Sequence, residues 1–266
     1  MRKIAFILFL CIISFSCKKD EQSPICQLTK FITEYPATNL IHYDLITVKD
    51  NRIELINSYD VKNAKDTSGR IKIFYEYNSL GKVSAFRDES NINKISRFDL
   101  TYDTSGMAIK STQKTNGVIN DEIVFEYDAQ KRPISATGLR LLGVNRSIEY
   151  DANGNPYRIY RSDYGSLPTL NEHTFDDNRN FFEGIPEIRL YWLIRPLYAF
   201  IPFGGNNIRS TKFFTLKGTE LKEVPELRTI RETSANERGF PISMKIILEN
   251  QNKTLSAESK FEFNCQ

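Results

Sequence analysis

Histidine is the scarcest chemistry-bearing residue of this 266-residue chain, occurring only as His42 and His173. Imidazole is the usual acid or base near neutral pH and the commonest metal ligand, so the surroundings of these two weigh heavily. Neither belongs to a zinc spacing, and no Cys-x-x-Cys pair accompanies them. His173 lies two residues before Phe175, in the inward slot of an alternating stretch. It reads as a buried strand histidine; the functional alternative is a pH-sensitive or ligand-binding group in a lumen. His42 is offset from the apolar positions Ile41, Tyr43 and Leu45 and reads as solvent-facing. Asp151-Ala152-Asn153-Gly154-Asn155 places oxygen ligands at alternate positions, as calcium loops do, but lacks the later bidentate Glu. Turn chemistry explains it equally, as it does Asp176-Asp177-Asn178. Glycoside hydrolysis needs two carboxylates about 5–10 Å apart, and no acid pair stands out from the many on alternating stretches. There is no Gly-x-Ser-x-Gly elbow and no phosphate loop. The expectation is no catalytic residue, no metal and no cofactor.

The elements that would carry such groups are announced by a phrase recurring about every 25 residues. It reads Tyr77-Asn78-Ser79-Leu80-Gly81, Tyr102-Asp103-Thr104-Ser105-Gly106, Tyr127-Asp128-Ala129-Gln130-Lys131 and Tyr150-Asp151-Ala152-Asn153-Gly154, and decays to Phe175-Asp176-Asp177-Asn178-Arg179. Residues before each phrase alternate with period two, as Ile71, Ile73 and Tyr75 do, or Phe98 and Leu100, or Ile123 and Phe125. Period two means strand, and the apolar face carrying the Tyr should point to the core. The Asx side chain starts a turn by bonding backbone two residues on. Gly81, Gly106 and Gly154 supply the positive φ that completes it. Lys131 and Arg179 stand where Gly is expected, which predicts longer or differently built turns there. Each repeat is thus one β-hairpin, and fainter copies extend the pattern both ways. The chain predicts an all-β antiparallel meander of about fourteen to sixteen strands, curled into a barrel or barrel-like sheet.

Residues 181–205 break the pattern with an apolar, aromatic run. Pro186 suits the start of a short helix over 187–194, and Pro196 its end. The stretch reads as a crossover capping one end of the sheet. Its aromatics Tyr191, Trp192, Tyr198 and Phe200 are the candidate ligand contacts, because apolar surface marks contact sites.

The N-terminus has the form of a signal peptide: Arg2 and Lys3, then an apolar run from Ile4 to Phe15. Ile13-Ser14-Phe15-Ser16-Cys17 resembles a lipoprotein box, with cleavage before Cys17 and a lipid on its thiol. A polar tether follows, Lys18-Lys19-Asp20-Glu21-Gln22-Ser23-Pro24. The expected organisation is a leader over 1–16, a lipidated tether over 17–25 and one domain over 26–266. Loss of Arg2 and Lys3 lowers the formal charge from +3 to +1. With the charges interspersed, a nucleic-acid partner is not expected. Cys26 and Cys265 remain near the two ends of the domain; in an oxidising compartment they are expected to pair as a disulfide joining first strand to last, two free thiols being the alternative.

The Tyr-Asp-x-x-Gly phrases resemble the YD repeats of the RHS family. The fuller layout is similar to the uncharacterised YD-repeat-like surface lipoproteins of Bacteroidota, which have a porin-like β-meander. The likeness includes Cys26-Gln27-Leu28-Thr29-Lys30, the stretch from Asn180-Phe181-Phe182 to Ile185-Pro186, Gly205-Asn206-Asn207-Ile208, and a last strand ending in Cys265. It implies a fold and a location at the outer membrane, facing the cell exterior, and carries over no catalytic residues. The expectation is a non-catalytic scaffold or binding module anchored by lipid, with a glycan or surface protein as partner. The alternatives are a polysaccharide-directed hydrolase and a carrier of an apolar ligand in the lumen.

Overall fold

The structure is a computed structural model that describes residues 26–62, 66–91, 93–138, 145–162, 167–183, 185, 187–194, 204–249, 252 and 254–265. The leader, the tether with Cys17, and Pro186, Pro196, Tyr198 and Phe200 lie outside the described residues. The strands are β1 (Cys26–Tyr35), β2 (Leu40–Lys49), β3 (Arg52–Lys62), β4 (Asp66–Tyr77), β5 (Val83–Asn91), β6 (Lys94–Tyr102), β7 (Ala108–Thr115), β8 (Val118–Tyr127) and β9 (Pro133–Gly138). There follow β10 (Asn145–Tyr150), β11 (Pro156–Ser162), β12 (Thr169–Arg179), the helix α1 (Ile188–Ile194), β13 (Asn206–Lys217), β14 (Glu220–Glu223), β15 (Thr229–Ala235), β16 (Pro241–Leu248) and β17 (Thr254–Cys265).

Each strand pairs antiparallel with the next from β1 to β13; β13 then pairs with β15, and β17 returns to β1. The result is a closed barrel of 16 strands. β14 is the extra strand, a short flap on the tip of β13 from Phe214 to Lys217. Closure leaves no long free edge in the ring, which removes the usual template for edge-to-edge aggregation. At the seam Cys26 faces Cys265 and the two sulfurs are joined, across a sequence separation of 239.

The Asx turns account for the regularity of one rim. The Asn78 Oδ1 accepts the N–H groups of Leu80 and Lys82, both at 3.0 Å, and Asp128 and Asp151 do the same for their successors two and four residues on. The Lys131 turn is not longer, contrary to expectation. The Lys131 N–H donates to the Asp128 carbonyl at 2.9 Å, as Gly106 does to Asp103 at 3.0 Å, and Lys131 itself takes φ 62°. The turn's hydrogen bonds outweigh the steric cost of a left-handed side chain, about 1 kcal/mol. Lys131→Gly should therefore stabilise the fold by about 1 kcal/mol, read as a shift in the urea midpoint at unchanged slope. At Arg179 the prediction of a different construction holds: β12 runs on irregularly, and Asp176 accepts from Asn178 and from Asn207 across the crossover. Asn236 makes a further full copy of the turn, with Gly239 at φ 79°.

The repeat tyrosines tie each hairpin to the one before it. Tyr77, Tyr102, Tyr127 and Tyr150 donate their hydroxyls to the carbonyls of Ile53, Val83, Ala108 and Pro133 at 2.5–2.8 Å. Three of the rings also carry a cation from the preceding turn, Arg52 on Tyr77, Lys82 on Tyr102 and Arg132 on Tyr150. Burial pushes Tyr102 and Tyr127 up to about 12, so the ladder stays un-ionised at physiological pH.

The crossover leaves this rim and folds into the barrel. Phe181 meets Phe261 of β17, Tyr191 meets Phe86 of β5, and Arg146 of β10 donates to the Leu193 carbonyl. Contacts to strands so far apart around the ring place the segment inside it. Phe181, Phe182, Ile185, Ile188 and Tyr191 to Ile194 form one core with the inner face of the wall. The crossover is a plug within the barrel, closer-fitting than a cap upon it.

Candidate functional site: the polar half of the lumen and the outer wall

Antiparallel partners directly opposite each other share a face, so the register assigns every strand residue to the inside or the outside. Phe31 opposite Phe261 and Phe86 opposite Phe98 belong to the inner apolar layer around the plug. Farther from the repeat rim the inner face turns polar. Asp44, Asp60, Asp88 and Asp121 line it on β2, β3, β5 and β8, whereas Arg146, Arg161 and Arg231 line it on β10, β11 and β15. Acids thus occupy one arc of the lumen and guanidinium groups the other.

His42 is the first correction to the sequence reading. On β2 the apolar set Ile41, Tyr43 and Leu45 faces outward, where Tyr43 and Tyr59 stack, and His42 and Asp44 face inward. Alternation identifies two faces but does not say which is inside, and here the inner face is the polar one. His42 Nδ1 lies 2.7 Å from Asp60 and Nε2 3.2 Å from Asp44. The hydrogen bond to Asp44, aided by Asp60 and opposed by burial, pushes its pKa up to about 9. The Ser58 hydroxyl donates to Asp44 and not to the ring. A protonated imidazole held by two carboxylates cannot take a proton from a nucleophile, so this cluster is an ion-pair brace across β2 and β3. Because the folded pKa is raised, its contribution is complete below the ordinary histidine range and is lost as pH rises through about 9. His42→Gln should abolish that component of the fall in melting temperature between pH 7 and pH 10; an unchanged profile would remove the brace from the account.

His173 is inward as predicted and 8% exposed. Its Nδ1 lies 3.0 Å from the Thr211 hydroxyl. Tyr191 and Trp192, read as ligand contacts, are each only 3% exposed and packed in the core. They offer no surface to a partner, because the crossover turned inward. The Asp151 carboxylate is committed to its turn, receiving Asn153, Asn155 and a side-chain amide. Among the described residues no group of three His, Cys, Asp or Glu side chains could hold a metal ion. Burial raises the pKa of the Glu187 carboxyl, which lies near Arg52, Tyr75 and Tyr77 at the plug.

The outer wall is charged. Glu149, Arg158, Glu172 and Lys212 stand opposite one another across β10 to β13, and Glu232, Lys245 and Glu258 across β15 to β17. Arg97 holds Glu76 at 2.7 Å and Asp99 at 2.6 Å, and Lys114 holds Asp99 at 2.8 Å. Lys110–Glu122, Lys30–Glu262 and Lys260–Glu34 continue the girdle. A membrane-spanning barrel needs an outward apolar band about 25 Å tall, and charges there cost about 2–4 kcal/mol each at the midplane. This exterior suits water. Apolar patches interrupt the charges: Ile41, Tyr43, Leu45, Tyr59 and Val61 on β2 and β3, Tyr160, Leu170 and Phe214 across β11 to β13, and Ile230, Ile247 and Leu255 across β15 to β17.

No protein-family model and no curated protein matches the sequence. Among solved structures the chain is similar to a porin-like protein from Bacteroides uniformis ATCC 8492, determined by crystallography at 2.32 Å resolution, with a TM-score of 0.53 and 10% identity over 90% of this chain and 96% of that one. The fold is porin-like. Identity this low bears on fold alone; the plug built from the β12–β13 connection and the ion pairs on the outside are read from this chain.

The sequence did not reveal the division of charge within the lumen. Its residues are scattered from Asp44 to Arg231, and only closure of the ring brings them onto facing arcs. A signal was present, since Asp88, Asp121 and Arg146 fall in slots that the repeat assigns to the inner face.

Proposed function

We propose that the chain is a lipid-anchored, non-catalytic binding module of the outer membrane, its barrel standing in water on the exterior side and its partner a glycan or surface protein. The observation that carries this reading is the outward girdle of ion pairs, which a bilayer would not tolerate. A lipid on Cys17 would then supply the attachment that the wall cannot, with several acyl chains giving firm anchorage. The four near-identical Tyr-Asx turns agree with kinship to the YD-repeat lipoproteins.

The described chain begins at Cys26 on the rim that bears the Tyr-Asx turns and the base of the plug. A tether there turns this rim toward the membrane and the opposite rim outward. The opposite rim carries exposed apolar side chains: Val118 at 67%, Leu167 at 63%, Ile119 at 49% and Leu227 at 48%. Such a fringe is the kind of surface that meets partners, so contact moves from the aromatic crossover to these loops.

Cys17→Ala tests the reading against insertion. A lipid-anchored barrel should leave the membrane fraction completely when the thiol is lost. A wall embedded in the bilayer would stay there, and persistent sedimentation of the variant with outer membranes would sink the proposal.

A further inference from the structure

The guanidinium arc of the lumen holds a buried group of donors that the protein itself does not satisfy. His173 and Thr211 are direct partners across β12 and β13, and Thr211 and Thr229 across β13 and β15. Arg231, two residues beyond Thr229, shares their inward face. Its Nη1 donates to the Thr211 hydroxyl at 2.7 Å and to the Thr229 hydroxyl at 3.4 Å. Arginine can only donate, so the Thr211 hydroxyl accepts from it, which leaves its own proton available to His173 Nδ1, 3.0 Å away. In the tautomer that takes this proton, the ring proton of His173 sits on Nε2. Burial, with the nearby Arg231 charge, holds the ring neutral by lowering its pKa to about 3.

On this inward face three polar atoms are shut off from solvent without a partner among the described residues: His173 Nε2, Arg231 Nε and, two residues farther along β15, Thr233 Oγ1. Arg231 as a whole is only partly covered, yet its Nε is enclosed. No carboxylate among the described residues lies within ion-pairing distance of its guanidinium, and burial alone accounts for its lowered pKa. In that tautomer the first two orphaned atoms are N–H donors and the third is a hydroxyl able to donate, beside a positive charge with no counter-charge among the described residues. Buried donors and unpaired charges are costly, and they persist where something else completes them. The complement is a ligand that only accepts hydrogen bonds and carries negative charge.

We propose that His173, Arg231 and Thr233 form a binding site inside the barrel wall for a small oxyanion, the carboxylate or phosphate group of a ligand entering the lumen. Thr211 is the positioning residue that fixes both the guanidinium and the histidine tautomer. The site does not depend on how the domain is held at a membrane.

The test is isothermal titration of the full chain, purified in detergent, with sodium phosphate and with sodium acetate, each against sodium chloride at equal ionic strength. Saturable one-to-one binding of either anion is expected, together with a raised melting temperature that chloride does not reproduce; the anion that binds identifies the ligand group. Arg231→Gln should weaken binding tenfold or more, in keeping with loss of a charged hydrogen-bond donor. His173→Phe provides a second variant should Arg231→Gln fold poorly, and should weaken binding as well. His173→Gln, which keeps an N–H donor, should retain more of the affinity than His173→Phe. Absence of binding by both anions, or binding unchanged in both the Arg231→Gln and His173→Phe variants, would overturn the assignment.

Discussion

Truncating Phe86 to Ala should destabilise the protein by about 3–5 kcal/mol, the range for a fully buried aromatic. Phe86 is 0% exposed and faces Phe98 across β5 and β6. Its ring meets Tyr75 edge-on with centroids 4.9 Å apart and Tyr191 of the plug at 5.5 Å. It is therefore the hinge of contact between wall and crossover, and its removal loses packing on both sides. Tyr191→Ala should also destabilise, and the double variant should fall short of the sum by about 0.5–1.5 kcal/mol, the coupling of an aromatic pair. Chemical denaturation of the four proteins measures this. Strict additivity would mean that the plug and the β5 wall do not support each other.

Loss of the Cys26–Cys265 bridge should cost about 2–5 kcal/mol, with roughly 5 kcal/mol as the chain-entropy ceiling for so long a loop. For a domain of this size that corresponds to a fall of about 5–15 °C in melting temperature. The double substitution Cys26→Ser with Cys265→Ser is the appropriate variant, since a single one would leave a free thiol. The oxidised and reduced wild type should differ by the same amount. Equal melting temperatures in all three would show that the β1–β17 ladder closes the ring unaided. Peptide mapping without reductant should recover Cys26 and Cys265 linked.

Much of the fold was legible because turn chemistry is local. Asn78, Asp103, Asp128 and Asp151 each make their own turn from residues within four positions, so the phrase announces the hairpin wherever it occurs. The inward slots of Tyr75, Phe125 and Ile148 followed from the same phrase. Lys131 was misread because a side chain was treated as decisive where the backbone hydrogen bonds govern. His42 was misread because apolar alternation was equated with the core, although a wide barrel can line part of its inside with polar groups. The aromatic crossover was correctly assigned to one end, yet whether Tyr191 and Trp192 face inward or outward depends on the diameter of the ring, a property of the whole chain. The lumen cluster of His173, Thr211 and Arg231 was out of reach for a similar reason, since β14 intervenes in sequence but not in the ring.

The crosslink at the seam also has a mechanical meaning. In an uncrosslinked ring, tension drawn through the residues ahead of Cys26 would peel β1 from its neighbour one hydrogen bond at a time. With Cys26 bonded to Cys265, the same tension is shared by the first and last strands together and must shear both ladders at once. A molecule hung by its leading end from a moving surface would thus resist being unravelled from the point of attachment.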